Sequence, residues 1–354
     1  MDRIGPARLG FRAVTLLAVW LALAFACSAS GPRHRGSVAF ARAPSPYGDD
    51  PYPNWPLPPQ EAAELMAGAP IERIDVLSRE HAGAGLTGAA RLEVRFSEPG
   101  VELVLKWKEL PPGTLDGINN SPRKEIAAWA IQPHFLDPED YVVPPSVARC
   151  PPLALYREEF QAPEARPSLE GVDSVCGIAS LWIKNVTVPE LIYDPSRFLV
   201  DPSYAYFMSN FNLLTYLIAH RDGRSGNFLV SKDRARRQVF AVDNGVAFGG
   251  MFYNWFVPNW HILRVPALRE ESVKRLRKLD RDDLDVLAVL VQFELDEERD
   301  LDRVRLGEPL DPDRGVVFRD GTLQLGLTRA EIDAVWDRIQ RLLEEIDAGE
   351  VGTF

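Results

Sequence analysis

At 354 residues, 46% of them hydrophobic, the chain can bury one large core or two moderate ones. Its formal net charge of −11 excludes a general nucleic-acid binder, whose phosphate contacts need a basic surface. Past residue 30 no apolar run is long enough to span a bilayer, so that part reads as a soluble globular protein.

Residues 1–30 read as an address. Arg3, Arg8 and Arg12 form a basic start, residues 13–26 are an apolar run of fourteen, and Ala24-Phe25-Ala26 offers small residues at cleavage spacing, as in a signal peptide. The alternatives are an uncleaved anchor or buried helix, and a lipid anchor on Cys27, for which Ala24 and Phe25 make a poor lipobox. Residues 31–69 read as a linker, because seven prolines fall between Pro44 and Pro59 and favour extended backbone. Tyr47, Tyr52 and Trp55 can strap it to the folded part, with Trp55 the one expected to bury.

Residues 71–78 and 90–96 read as strands joined by Gly83-Ala84-Gly85-Leu86-Thr87-Gly88. A G-x-G-x-x-G that bridges two strands, rather than opening a helix, is not a dinucleotide fingerprint. It reads either as a backbone cradle for phosphates or as an ordinary hairpin loop. Eighteen residues after Gly88, Leu103-Val104-Leu105-Lys106 alternates as a strand that puts Lys106 on the face of Val104. Lys108 points the same way and is its rival. Ser121-Pro122 then opens a helix over residues 123–132. Glu125, nineteen residues after Lys106 and in the first turn of that helix, is the carboxylate that could orient the lysine. It suits that role better than Glu139 in a loop; the alternative is a carboxylate placed near the helix N-terminus by the macrodipole.

Cys150 and Cys176 flank predicted strands over residues 147–155 and 175–183. If Cys27 is removed or acylated they remain as an even pair, either bridged or as two buried thiols.

Tyr204, Phe207, Phe211, Leu214 and Ile218 recur at helical steps after start signals at Asp201, Pro202 and Ser203. There follow His220-Arg221-Asp222-Gly223-Arg224-Ser225-Gly226-Asn227, a strand over residues 228–230, a charged turn, a returning strand over 239–242, and Asp243-Asn244-Gly245. Both Asn227 and Asp243 therefore sit at the edge of one hairpin. A paired-carboxylate hydrolase built on Asp222 and Asp243 would leave the glycine loop and Lys106 unused. His220 reads as a structural support for its loop.

Residues 248–256 are an aromatic stretch with glycine hinges, which lines either an acceptor site or a core. Arg264, Arg269, Lys274, Arg275, Arg277, Lys278 and Arg281 surround a helix with apolar face Val273, Leu276 and Leu279; such a run recruits an acidic substrate or is a solvated face. Thr328-x-x-Glu331 caps a final helix with stripe Ile332, Val335, Trp336, Ile339, Leu342 and Leu343, a scaffold element.

Taken in order, the glycine loop, Lys106, Glu125, the HRD with asparagine five residues past its aspartate, and the D-x-G resemble the polar core of protein kinases. Lys124-Glu125-Ile126-Ala127-Ala128-Trp129, residues 141–149 (Tyr-Val-Val-Pro-Pro-Ser-Val-Ala-Arg) and residues 242–249 (Val-Asp-Asn-Gly-Val-Ala-Phe-Gly) are similar to three patches of the secretory-pathway kinases, the Golgi casein kinase and four-jointed group. The resemblance spans roughly residues 71–346. It departs from that group at the catalytic loop, where the group has D-R-H, and at Asn227, where it often has glutamate.

The resemblance implies an α+β, two-lobed protein-kinase-like fold: an antiparallel-sheet N-lobe with its αC helix over residues 70–185 and a mainly helical C-lobe over 186–354. It implies ATP with Mg²⁺ or Mn²⁺, and an exported protein Ser/Thr or glycan hydroxyl as acceptor. Gly83, Gly85, Gly88 and Lys106 would hold the nucleotide, Glu125 would pair with Lys106, Asp222 would be the base, and Asn227 and Asp243 would take the metal. Arg224 either holds the γ-phosphate bidentately or is a surface turn charge. The readings in competition are an exported kinase, a pseudokinase or nucleotide-binding module of the same fold, and a kinase for a glycan, lipid or other small-molecule hydroxyl.

Overall fold

The computed structural model describes residues 51–79, 89–111, 113, 121–233, 236–249 and 260–354. Residues 1–30, expected to be a signal peptide, with Cys27, Tyr47, the loop glycines Gly83, Gly85 and Gly88, and most of the aromatic stretch lie outside them. In chain order the elements are α1 (Pro59–Gly68), β1 (Ile71–Arg79), β2 (Ala89–Phe96), β3 (Glu102–Glu109), α2 (Arg123–Ala130), β4 (Ser146–Arg149), α3 (Leu153–Glu159), β5 (Gly177–Leu181) and β6 (Val186–Thr187). They continue with α4 (Pro195–Val200), α5 (Pro202–Leu217), β7 (Phe228–Ser231), β8 (Val239–Ala241), β9 (Ala267–Leu268), α6 (Glu270–Leu276), β10 (Val291–Leu295), β11 (Leu301–Val304), β12 (Val316–Arg319), β13 (Thr322–Leu325), α7 (Arg329–Asp347) and β14 (Gly352–Thr353). The fold is α+β, built on antiparallel sheets, with one parallel pair between β9 and β14.

The first sheet has the order β1-β2-β3-β5-β4. Strand alternation makes it two-faced. On β3, Leu103, Leu105 and Trp107 turn into an apolar core with Leu92, Val94 and Phe96, and Val104, Lys106 and Lys108 turn the other way. The linker expected over residues 31–69 is corrected in its second half. There Ala62 and Met66 of α1 bury against this sheet, and Trp55 packs edge-on to Phe240 at 5.2 Å. Four apolar side chains, Trp55, Leu57, Ala62 and Met66, are enough to dock a short helix that proline starts well at its first position.

Cys150 and Cys176 form a disulfide that ties the end of β4 to the start of β5. The strand predicted over residues 147–155 stops at Arg149, because Pro151 and Pro152 break it, and α3 begins at Leu153.

In the second half α5 is buried on nearly every side, and Asp201 caps it by accepting from Tyr204 N–H at 3.0 Å. β6, β7 and β8 form a three-stranded antiparallel sheet beside it. The second half also holds a four-stranded antiparallel sheet, β11-β10-β13-β12, that the expectation did not include. Its Phe293, Leu323 and Leu325 pack against Ile126 of α2, Ile178 of β5 and the disulfide. The capping box at Thr328 and Glu331 is present at the start of α7.

Candidate functional site

The cleft is organised by Glu125. Helix α2 starts one residue later than Ser121-Pro122 suggested, with Pro122 in the N-cap position and no side-chain cap. Its start is held instead by Ser121 N–H, which donates to the Gly245 carbonyl at 3.0 Å. That contact lays the first turn of α2 on the Asp243-Asn244-Gly245 corner. Glu125 Oε1 accepts from Lys108 Nζ at 2.7 Å, and Oε2 accepts from Asn244 N–H at 2.8 Å. Lys108 also binds Asp243 Oδ1, and Lys106 Nζ reaches Asp243 Oδ2 at 3.4 Å.

The lysine that pairs with Glu125 is therefore Lys108, which corrects the pairing expected for Lys106. The cause is strand geometry: two residues along β3 advance the ammonium roughly 7 Å, the distance that brings Lys108 under the first turn of α2. Lys106 is left about a quarter exposed at the cleft wall, at 25%. Glu139 lies in a 3-10 turn after α2 and takes no part.

Electrostatics follow burial. Desolvation alone would lower the Lys108 pKa, but Glu125 and Asp243 outweigh it and hold the ammonium well above the usual lysine range. Burial alone would raise Asp243, but Lys108 and Lys106 keep its carboxyl well below the ordinary carboxylate value. Asp243 sits in the left-handed region at φ 62°, a conformation that a short polar side chain tolerates. The turn aims its carboxylate back at both lysines.

Asn227 belongs to the same corner. Its side-chain amide donates to the Asp222 carbonyl at 3.1 Å, and its own carbonyl accepts from Val242 N–H at 2.9 Å, placing it beside Asp243. Asn227, Asp243, Lys106 and Glu125 all line one cavity of about 830 Å³, within the range of small-molecule sites. Its apolar walls include Ala90, Leu181, Ile183, Leu229 and Val242. Among the described residues no three His, Cys, Asp or Glu side chains converge on a metal-sized point. Asp243 and Asn227 nevertheless offer the hard oxygen donors that suit Mg²⁺ or Mn²⁺, ions that commonly take only one or two protein ligands and fill the rest with phosphate and water.

Asp222 differs from what its expected role requires. Its side chain is 1% exposed, and Arg224 covers it with a bidentate pair, Nε to Oδ1 at 2.7 Å and Nη2 to Oδ2. Arg224 was expected to face either a transferred phosphate or solvent; instead it closes over the carboxylate two residues before it. A buried carboxylate needs a counter-charge, and this turn brings one within reach. That hydrogen bond in turn raises the Arg224 pKa. His220 is fully enclosed beside Phe228, its backbone carbonyl accepting from Trp260 N–H at 3.1 Å. Burial lowers its pKa to about 4, so the ring is neutral.

No protein-family model matches this chain, and a search of curated proteins finds no match. The site thus stands on its own geometry.

One set of contributors is missing from the sequence reading. Arg123 makes a bidentate pair with Glu331 at 2.9 and 3.0 Å, and Lys124 lies 3.5 Å from Glu331 and donates to the Gly249 carbonyl at 2.9 Å. The cap of α7 therefore also anchors α2. The signal was available: Arg123-Lys124-Glu125 places three charges ahead of a small, apolar helix, too many for a turn packed on all sides unless each is paired. Five of the seven members of the basic cluster around α6 pair within the chain, Arg269 with Asp140, Lys274 with Glu270, Arg275 with Asp137, Arg277 with Asp347 and Arg281 with Asp285 and Asp333. The cluster behaves as a solvated face.

Proposed function

We propose that the chain is a phosphotransferase of the protein-kinase type, using ATP with Mg²⁺ or Mn²⁺. The observation that carries this reading is the Glu125–Lys108–Asp243 chain at the wall of a cavity that Asn227 also lines. In this reading residues 70–185 and 186–354 are the two lobes of a kinase-like fold. Lys108 takes the place of the glutamate-paired lysine, and Lys106 adds a second ammonium toward the phosphates. Gly83, Gly85 and Gly88 would cover them from above. Asp243 and Asn227 would hold the cation, which when bound neutralises charge on the transferring phosphoryl group. Asp222, freed of Arg224, takes the proton of the acceptor hydroxyl as that oxygen bonds to the γ-phosphorus and ADP leaves with the bridging electron pair.

The disulfide supports an oxidising compartment, and with it export under the N-terminal address. The acceptor we propose is an exported protein Ser/Thr or a glycan hydroxyl, with lipid and small-molecule hydroxyls as further members of the class. Contact with a membrane would come through an acyl group on Cys27, and nucleic acid is not a partner of a chain this acidic.

A second reading, a nucleotide-binding module that does not transfer phosphate, is favoured by one observation: the Arg224 cover on Asp222. Binding of ATP with each cation, and γ-phosphate transfer to a mixed pool of exported proteins and sugars, separates the two. Transfer that is lost in Asp243→Ala, with binding kept and transfer lost in Asp222→Ala, is the expected result. Metal-dependent binding without transfer would select the module, and no binding would sink both.

A further inference from the structure

The first sheet has a second chamber on its other face. Because Leu105 and Trp107 alternate with Lys106 and Lys108 along β3, what they line is separated from the cleft by the strand itself. This chamber holds about 380 Å³, and among the described residues none lines both it and the cleft. Its floor is the apolar face of β1, β2, β3 and β5; α1 contributes Met66, Ala67 and Gly68, and α3 with the residue after it contributes Leu155, Glu159 and Phe160. Phe293 and Leu301 close the far side. An apolar cavity of about 150 Å³ already takes up a ligand such as benzene. This one is more than twice that size and falls within the range of ligand pockets.

Its charges are unusual for so apolar a space. Arg149, at the end of β4, donates to the carbonyls of Met66 and Ala69, and Arg303, on β11, donates to the Ala148 carbonyl. Among the described residues neither guanidinium has a carboxylate within ion-pair distance. Burial and the neighbouring Arg303 lower the Arg149 pKa to about 10, and burial lowers that of Arg303. Of the two carboxylates in the lining, Glu72 is taken by Arg95 at 3.1 Å, and Glu159 stands at the end of α3. Two partly desolvated cations, each with backbone acceptors of its own but no anion, are what a carboxylate or phosphate head would complete.

We propose that this chamber binds a single-chain amphiphile with an anionic head, the tail lying between α1 and the sheet and the head on Arg149 and Arg303. The site is independent of the proposed transferase activity.

The test is titration of the full chain with octanoate, decanoate and dodecanoate below their micelle concentrations, followed by calorimetry and by the fluorescence of Trp107. Apolar burial predicts about fourfold tighter binding for each added methylene. Dodecyl phosphate should bind like dodecanoate, and dodecanol at least tenfold more weakly. Ala67→Phe, which puts a ring into the chamber, should abolish binding; Arg303→Met should weaken it about tenfold, and Glu159→Gln should tighten it. Unfolding midpoints of the variants report that each is folded, and Asp243→Ala should bind dodecanoate as the parent does. Absence of binding, affinity that does not rise with chain length, or full binding in folded Ala67→Phe would overturn the site. Equal affinity for dodecanol would overturn the role of the two arginines.

Discussion

Two of the ion pairs around the cleft, Glu125–Lys108 and Asp222–Arg224, are built differently. In Glu125–Lys108 both side chains are sealed, at 5% and 6% exposure. In Asp222–Arg224 only the carboxylate is sealed, and the guanidinium is 57% exposed. The first pair cannot separate without stranding a charge in the interior, so it belongs to the frame. In the second, the cation can swing into water and hydrate the carboxylate as it leaves. The same chemistry is a strut in one place and a cover in the other, and the exposure of the cation decides which.

The largest test of that contrast is Lys108→Met. It leaves Glu125 buried with one partner lost, and denaturant unfolding should register a loss of about 3–5 kcal/mol. Arg224→Ala should cost less than about 1 kcal/mol, because removing the cover admits water to Asp222. Equal losses would mean that both pairs are struts.

A pH series sharpens the picture from the floor of the same loop. His220 is held neutral at a folded pKa of about 4, below its ordinary value, so between pH 6.5 and 4 the unfolded chain binds a proton that the folded chain refuses. Stability should be full above pH 6.5 and fall by about 1.4 kcal/mol per pH unit as pH drops through that window. The slope should flatten in His220→Phe, and an unchanged slope there would place the effect elsewhere. The smaller expectation concerns the brace behind α2. Thr328→Ala removes the side-chain cap of α7 and should cost about 1 kcal/mol by thermal unfolding. The loss should grow in Lys108→Met, where α2 has lost its tie to β3.

Much of this frame was legible from residue order, and some was hidden for definite reasons. The Asp201 cap of α5, the β7–β8 hairpin and the capping box at Thr328 are local, and each was readable from a few neighbouring residues. Lys106 and Lys108 share a strand face, so choosing between them needed the position of α2 along β3, which no local pattern contains. The four-stranded sheet was missed although Val291-Gln292-Phe293-Glu294-Leu295 and Leu323-Gln324-Leu325 alternate apolar and polar, because the partner that satisfies each glutamine lies on another strand. In the fold Gln292 and Gln324 bond each other at 2.9 Å, a satisfaction visible only across strands. The cover on Asp222 likewise came from a side chain whose rotamer sequence cannot specify. The α1 helix was masked by its prolines, which also mark helix starts.

The Cys150–Cys176 bridge closes a segment with a sequence separation of 26, which contains α3 and one wall of the apolar chamber. Chain entropy gives such a closure about 3.5 kcal/mol of stability once the thiols are oxidised. A copy of this chain kept where thiols stay reduced would therefore be the weaker protein by that amount. Until the bridge forms, the segment most free to loosen is the one that walls the chamber, so the redox state of its surroundings sets when that wall becomes firm.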